Sequence, residues 1–177
     1  MITKFISMII LALLSVTNIY SQNSYQIFTN EGFKVQCECK LYENTKFISR
    51  AEKQGMRNIL AAYICAENED NLDIGVFHNI NIYDESENYK NIQPSDYIFF
   101  EKIYLNQYAT NLKNEGISYT NIIYHGVSAL EYTFKQQGLS TKSIIFIKHK
   151  KSYLLQIASK KNLQERYNSL KSSFEIL

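Results

Sequence analysis

The sequence contains few of the residues that interrupt regular structure. Of 177 residues only one is proline and six are glycine, and tryptophan is absent. So few chain breakers argue against a disordered, low-complexity chain or a long linker. Neither sign of charge predominates, because the sequence has 19 basic and 17 acidic residues. This balance gives no electrostatic case for nucleic acid or an anionic membrane as the partner.

Long apolar runs are also scarce, and the clearest one lies at the N-terminus. Lys4 precedes an apolar stretch over residues 5–17, which is shorter than the roughly 20 residues that cross a bilayer. Small Ser21 then stands where a signal peptidase cuts. These features predict a cleavable signal peptide over residues 1–21, typical of a bacterial secretory protein. Gln22 is then the first residue of the mature chain.

The mature chain, residues 22–177, is long enough for one domain with a real core. Removal of Lys4 leaves 18 basic residues against 17 acidic ones. No second apolar run approaches spanning length, so no transmembrane segment is expected after cleavage. Cys37, the first cysteine, lies too far from the cut to carry a lipid anchor. We expect a soluble protein in the periplasm, at the cell surface or outside the cell.

Alternation of apolar and polar residues predicts strands over most of the chain. Two hairpins come first, followed after a helix by an antiparallel meander. Residues 46–56 fit either a short strand or one helical turn. The predicted strands cover residues 25–28 and 33–41, 59–66 and 73–83, then 119–124, 130–135, 143–150 and 153–158.

Apolar residues three or four apart predict two helices, over residues 96–115 and 163–173. The first stripe runs from Tyr97 to Leu112, with Ser95 or Asp96 as N-cap and Gly116 as the stop. In the second, Asn162 and Glu165 approximate a capping box. Hairpin-linked strands with helices set apart predict an α+β fold, with a single antiparallel sheet of about six to eight strands and two main helices.

Three stretches resemble parts of the PsbP-like superfamily. Phe28-Thr-Asn-Glu-Gly-Phe-Lys-Val35 looks like its opening hairpin, and His125-Gly-Val-Ser-Ala-Leu-Glu-Tyr-Thr-Phe134 like its glycine turn and following strand. Tyr153-Leu-Leu-Gln-Ile157, with Tyr167-Asn-Ser-Leu-Lys-Ser-Ser-Phe174, looks like its last strand and closing helix. A proline-containing loop of that family is replaced here by Cys37-Glu-Cys39. The resemblance implies an α/β/α sandwich around an antiparallel sheet, with a binding or accessory role instead of a shared active site.

The three cysteines are the clearest candidates for special chemistry. Cys37 and Cys39 share one face of a predicted strand, and Cys65 lies in an apolar run. An oxidising compartment favours one disulfide, from Cys65 to either Cys37 or Cys39, with the third thiol buried. The alternatives are three free buried thiols, or a soft-metal site at Cys37 and Cys39 completed by Cys65 or His78.

Motifs of known enzymes are lacking. His125-Gly-Val-Ser128 has Leu130 where a serine nucleophile elbow needs its second glycine, and the three histidines are not spaced as metal ligands. We therefore predict no catalytic residue, cofactor or metal. The leading interpretation is a non-enzymatic envelope protein with a binding or accessory role. It binds another envelope or secreted protein, or steadies an assembly, through the sheet or the loop over residues 84–93. The alternatives are an inhibitor or immunity-type protein against a toxin, and an enzyme with an unrecognised site.

The cleavage prediction is tested by sequencing the N-terminus of the protein isolated from the envelope. We expect it to begin at Gln22, because Ser21 is the best small residue beyond the apolar run. A start more than three residues away would place the cut elsewhere, and an intact Met1 would mean that the segment is not removed.

Overall fold

A computed structural model describes residues 24–69, 72–136 and 138–177. The predicted signal peptide, with Ser21 and Gln22, lies outside the described residues. In chain order the elements are β1 (Gln26–Phe28), β2 (Phe33–Val35), β3 (Tyr42–Glu43), α1 (Thr45–Lys53), β4 (Ile59–Glu69), β5 (Leu72–Asp84), α2 (Tyr97–Asn114), β6 (Tyr119–Tyr124), β7 (Val127–Gln136), β8 (Leu139–Lys148), β9 (Lys151–Ser159), α3 (Leu163–Ser173) and β10 (Glu175–Ile176). Two 3-10 turns, Ser86–Tyr89 and Pro94–Asp96, precede α2.

The main sheet has seven strands in the order β3-β4-β5-β9-β8-β7-β6. After the β4–β5 hairpin the chain passes through α2 to the far edge strand, β6. It then returns by successive hairpins to β9, which pairs antiparallel with β5. The second predicted hairpin, the meander and the α+β fold class are confirmed.

The opening hairpin lies outside this main sheet. β2 pairs with β1 on one side and with β10 on the other, which gives a separate sheet of three strands. The sequence pattern had placed the hairpin in a single sheet. The structure differs because β2 is short and ends at Val35, and its buried side chains, Phe33 and Val35, join the core of the main sheet. Cys37 and Cys39 consequently lie in the loop after β2, not on a strand.

Two apolar layers cover the main sheet, as the sandwich expectation requires. One lies between the sheet and α3 with the small sheet, and the other lies under α2. Strand alternation separates them: Phe146 and Tyr153 belong to the first layer, while Ile145 and Leu154, one residue along, belong to the second. The chain therefore buries both faces of its central strands.

The predicted positions of the two main helices agree with the structure better than their predicted caps do. The ambiguous segment forms α1, where Asn44 Oδ1 accepts a hydrogen bond of 3.1 Å from the N–H of Phe47. Helix α2 ends at Asn114. The predicted stop, Gly116, follows it with φ of 72°, in the left-handed region that favours glycine. The most buried side chains of α2 are Leu105, Ala109 and Leu112, so the buried face is rotated from the predicted stripe.

The predicted side-chain caps of α2 and α3 do not form. Ser95 and Asp96 belong to the 3-10 turn before α2, and Ser95 Oγ donates to Asp96 Oδ1 at 3.3 Å instead of capping the helix. Asn162 has a left-handed backbone, with φ of 52°, and its side chain makes no capping hydrogen bond. Capping needs an extended backbone at that residue, and neither turn provides one.

Phe174 links the small sheet to the main sheet and offers a stability test. It is fully buried, with its ring centroid 5.3 Å from that of Phe33 and 5.8 Å from that of Tyr153. Because the cavity left by Phe174→Ala opens between both sheets, we expect a loss of about 3–5 kcal/mol in unfolding free energy by denaturant titration. Phe99→Ala, at a site 67% exposed, should cost far less, and equal costs would contradict this packing.

Candidate functional site

A groove opens at the end of the main sheet where the β8–β9 turn meets the start of α2. Its volume is about 540 Å³. We call it the aromatic groove, and its lining residues are Tyr89, Tyr97, Ile98, Glu101, Val127, Lys148, His149 and Lys150.

The floor of the aromatic groove is formed by packed aromatic rings. Tyr89 is buried, and its ring makes edge contacts with Tyr97 at 4.8 Å and Phe100 at 4.7 Å between centroids. Its hydroxyl donates to Glu101 Oε1 at 3.3 Å, and burial raises the pKa of the Glu101 carboxyl. The floor is therefore rigid and apolar, with one carboxylate at its side.

A second carboxylate, that of Glu85, is buried and connects the elements around this floor. Glu85 is 1% exposed, and its carboxylate accepts hydrogen bonds from Ser152 Oγ at 2.7 Å, Asn88 Nδ2 at 2.7 Å and Tyr104 hydroxyl at 3.2 Å. The backbone N–H of Glu85 donates to the carbonyl of Lys150 at 2.9 Å. One buried side chain thus joins the loop before α2, the helix itself and strand β9, so the loop over residues 84–93 is fixed in place.

The β8–β9 turn forms the rim and has an unusual backbone. His149 and Lys150 connect the paired residues Lys148 and Lys151, with φ of 53° and 60°. Turns of this kind strongly prefer asparagine and glycine, because other side chains are strained at positive φ. The turn places Lys150 Nζ 5.2 Å from the centroid of the Tyr97 ring and 5.9 Å from that of Tyr89. Strained residues are concentrated at ligand sites.

Exposed apolar side chains extend the groove along α2. Ile98, which lines it, is 69% exposed, Phe99 is 67% exposed and Ile103 is 39% exposed. Neighbouring large apolar side chains in contact with water mark interaction surfaces more often than isolated ones do. Together with the ammonium groups of Lys148 and Lys150, they suit a ligand that carries both an apolar group and a negative charge.

The cysteines form a second feature, in the core under α3 and the small sheet. A disulfide joins Cys39 to Cys65, and Cys37 is a buried free thiol whose pKa burial raises to about 12. Cys65 lies on β4 directly opposite His78 on β5. The disulfide therefore attaches the loop after β2 to the main sheet beside a histidine.

His78 is buried without a polar partner. It is 2% exposed, and neither ring nitrogen has a hydrogen-bond partner among the described residues. Glu38 Oε2, which also binds the guanidinium of Arg166, lies 4.0 Å from His78 Nε2. Burial, with a smaller effect of the Arg166 charge, lowers the pKa of His78 to about 4. The imidazole is therefore neutral at pH 7.

The other sequence candidates lie apart from these features. Ser128 is exposed near the start of β7, opposite Ile123 of the edge strand, and His125 occupies the β6–β7 turn with its ring 4.1 Å from that of Tyr124. The sequence predicted a binding role for the loop over residues 84–93, which contributes Tyr89 to the aromatic groove, but missed the parts contributed by α2 and the β8–β9 turn. The available signal was the run of four large, mainly apolar residues from Tyr97 to Phe100, which one face of α2 cannot bury together. Within the described ranges, no helix is long and apolar enough to cross a membrane.

Comparison with known proteins gives one structural neighbour to report. No family model matches the chain, and no curated protein matches it. Among solved structures, LpqN of Mycobacterium tuberculosis, described as involved in cell envelope biogenesis, aligns with a TM-score of 0.38 and 13% identity, over 89% of this chain and 87% of that chain.

The buried imidazole predicts a pH effect on stability. An unfolded histidine takes up a proton near pH 6.5, whereas folded His78 does so only near pH 4, so folding loses free energy as the pH falls between these values. His78→Phe removes this effect. We expect its unfolding free energy, relative to the original chain, to rise by roughly 3 kcal/mol at most between pH 7 and pH 4. Parallel pH curves for the two chains would contradict a neutral buried imidazole.

Proposed function

We propose that this chain is an exported envelope protein whose mature region, residues 22–177, binds another exported protein in the aromatic groove. One observation carries the proposal. A strained turn holds Lys150 over two packed tyrosines, in a groove bordered by the exposed side chains of Ile98 and Phe99. The partner segment carries an apolar side chain next to a carboxylate.

Two features support export. The apolar N-terminal segment has the length and flanking residues of a signal peptide. The Cys39–Cys65 disulfide fits an oxidising compartment, because cytosolic thiols are kept reduced. The PsbP-like resemblance adds a family in which binding and accessory roles are common, and the three-layer arrangement fits it.

The chemistry of the groove favours a protein segment as the ligand. Tyr89 and Tyr97 offer ring faces and edges to an apolar side chain, while the lysines of the rim suit a carboxylate. The apolar surface continues onto α2 as far as Ile103, so the contact area extends beyond the groove. An extended segment of a partner would cover both regions, whereas a small molecule would leave the helix surface exposed.

The backbone strain of the rim also fits a binding role. Asparagine and glycine would adopt the positive φ values of this turn at lower cost than His149 and Lys150, for which these values cost on the order of 1 kcal/mol per residue. Lysine at the second position places a charge over the aromatic floor, which glycine would not do. We therefore infer that the strained turn serves ligand binding.

Photo-crosslinking tests the binding surface. A photoreactive phenylalanine analogue replaces Phe99 in the exported protein in its native envelope, and a control carries it in place of Glu165, an exposed residue of α3. We expect one protein to be captured from position 99 and not from position 165. Capture from both positions, or from neither, would contradict docking at the groove.

A substitution in the rim separates binding from stability. Lys150→Gly removes the charge and relaxes the turn, so stability should stay equal or rise by up to about 1 kcal/mol, while crosslinking from position 99 should fall about tenfold. Lys160→Gly, at an exposed residue after β9, is the matched control and should leave crosslinking unchanged. Equal yields for both variants would mean that Lys150 does not contribute to binding.

A further inference from the structure

We propose that the reduced form of this protein binds one zinc-type cation through Cys39, Cys65 and His78. The two sulfur atoms and a ring nitrogen of His78 all lie within 4.8 Å of one another. In the oxidised protein the sulfurs are joined and unavailable as thiolates, so the disulfide controls access to the site. This inference is independent of the aromatic groove.

The fold brings the three ligand residues together. Cys65 and His78 are direct partners on β4 and β5, and the disulfide brings Cys39 to them from the loop after β2. With zinc bonds of about 2.3 Å to sulfur and 2.0–2.1 Å to nitrogen, a tetrahedral site needs donor atoms about 3.6–3.8 Å apart. The ligand atoms lie within 4.8 Å of one another, so the proposal requires the two sulfurs to move apart to this separation once the bond between them is reduced.

His78 provides the second, independent observation. It is 2% exposed, and both of its ring nitrogens are without a hydrogen-bond partner among the described residues. Buried polar groups are normally satisfied, and one that is not requires an explanation. A ring nitrogen that lies within 4.8 Å of two cysteine sulfurs and has no hydrogen-bond partner among the described residues is explained if it serves as a metal ligand. Glu38, 4.0 Å away, is too distant to serve as its hydrogen-bond acceptor.

Charge and access both suit a divalent cation. Two thiolates and a neutral imidazole around a divalent ion give a complex without net charge, which a buried site tolerates best. A cleft of about 260 Å³ opens beside Cys39, so solvent reaches that side of the cluster.

The redox step balances with a dithiol as reductant. A dithiol transfers two electrons and two protons to the bond between Cys39 and Cys65, which breaks into two thiols while the reductant closes its own disulfide. The cation then replaces the two thiol protons, which pass to the solvent. A disulfide as oxidant reverses the exchange: it takes up two electrons and two protons and becomes a dithiol, the bond between Cys39 and Cys65 closes, and the ion is released.

Metal titration of the mature protein is the test. The protein is reduced with a dithiol, desalted under inert gas and titrated with Co²⁺, which reports its ligands by absorption, and then with Zn²⁺. We expect one equivalent to bind, with a thiolate-to-cobalt band in the near ultraviolet that Zn²⁺ removes. The oxidised protein should bind none. A reduced, folded protein without this band would overturn the proposal.

Variants assign the ligands. Cys39→Ser and Cys65→Ser should abolish the thiolate band, and His78→Phe should weaken binding at least tenfold. Cys37→Ser and His149→Gln are the matched controls, one a buried cysteine and the other a histidine of the groove, and both should bind as the original chain does. Binding by His78→Phe at full affinity, or its loss in Cys37→Ser, would overturn the three-residue assignment.

Loss of a disulfide destabilises a fold, and circular dichroism covers the case in which reduction unfolds the protein. Because metal binding is coupled to folding, Zn²⁺ should then restore the native spectrum of the reduced chain. His78→Phe should not recover in the same way, although its oxidised form is folded. A reduced chain that stays unfolded with excess Zn²⁺ would overturn the proposal.

Discussion

The structure depends on one constraint, which is that β8 and β9 are apolar on both faces. Ile144 to Ile147 are four consecutive buried residues, and Ser152 to Leu155 opposite them are four more. A strand with one face in contact with solvent would alternate buried and exposed side chains instead. Both sides of the sheet must therefore be covered, by α2 on one face and by α3 with the small sheet on the other. The first and last strands of the described part of the chain, β1 and β10, both pair with β2 in the second of these layers.

Helix α2, which covers one face of the sheet, meets β9 and the loop that precedes the helix. Glu85 connects these three elements through its hydrogen bonds. A buried carboxylate with only neutral donors is tolerable when several hydrogen bonds satisfy it. Ser152, Asn88 and Tyr104 provide these bonds. The aromatic groove lies next to this anchor, so its floor exists before any ligand arrives. A preformed surface loses less conformational entropy on binding.

The two candidate sites belong to different layers. The aromatic groove borders α2, whereas Cys39, Cys65 and His78 lie towards the core under α3 and the small sheet. They share no residue, so substitutions at one site should act independently of the other. The protein therefore has a surface suited to a partner and, separately, a buried cluster whose chemistry depends on the redox state of one bond.

Local pattern determined much of this protein. Apolar residues at every second position predicted the strands of the meander. Apolar residues three or four apart, around Tyr104 and Leu170, predicted α2 and α3. Together these patterns predicted the α+β class, because strands and helices of this kind are determined by residues close together in the sequence. The pattern left open whether Cys37 or Cys39 is joined to Cys65, and it missed the separate sheet, the failed caps at Asp96 and Asn162, and the groove. These features depend on contacts between residues far apart in the chain. Only the packed tertiary structure brings Glu85 to Ser152 and Lys150 to Tyr97. Only there is the His78 ring buried without a hydrogen-bond partner among the described residues.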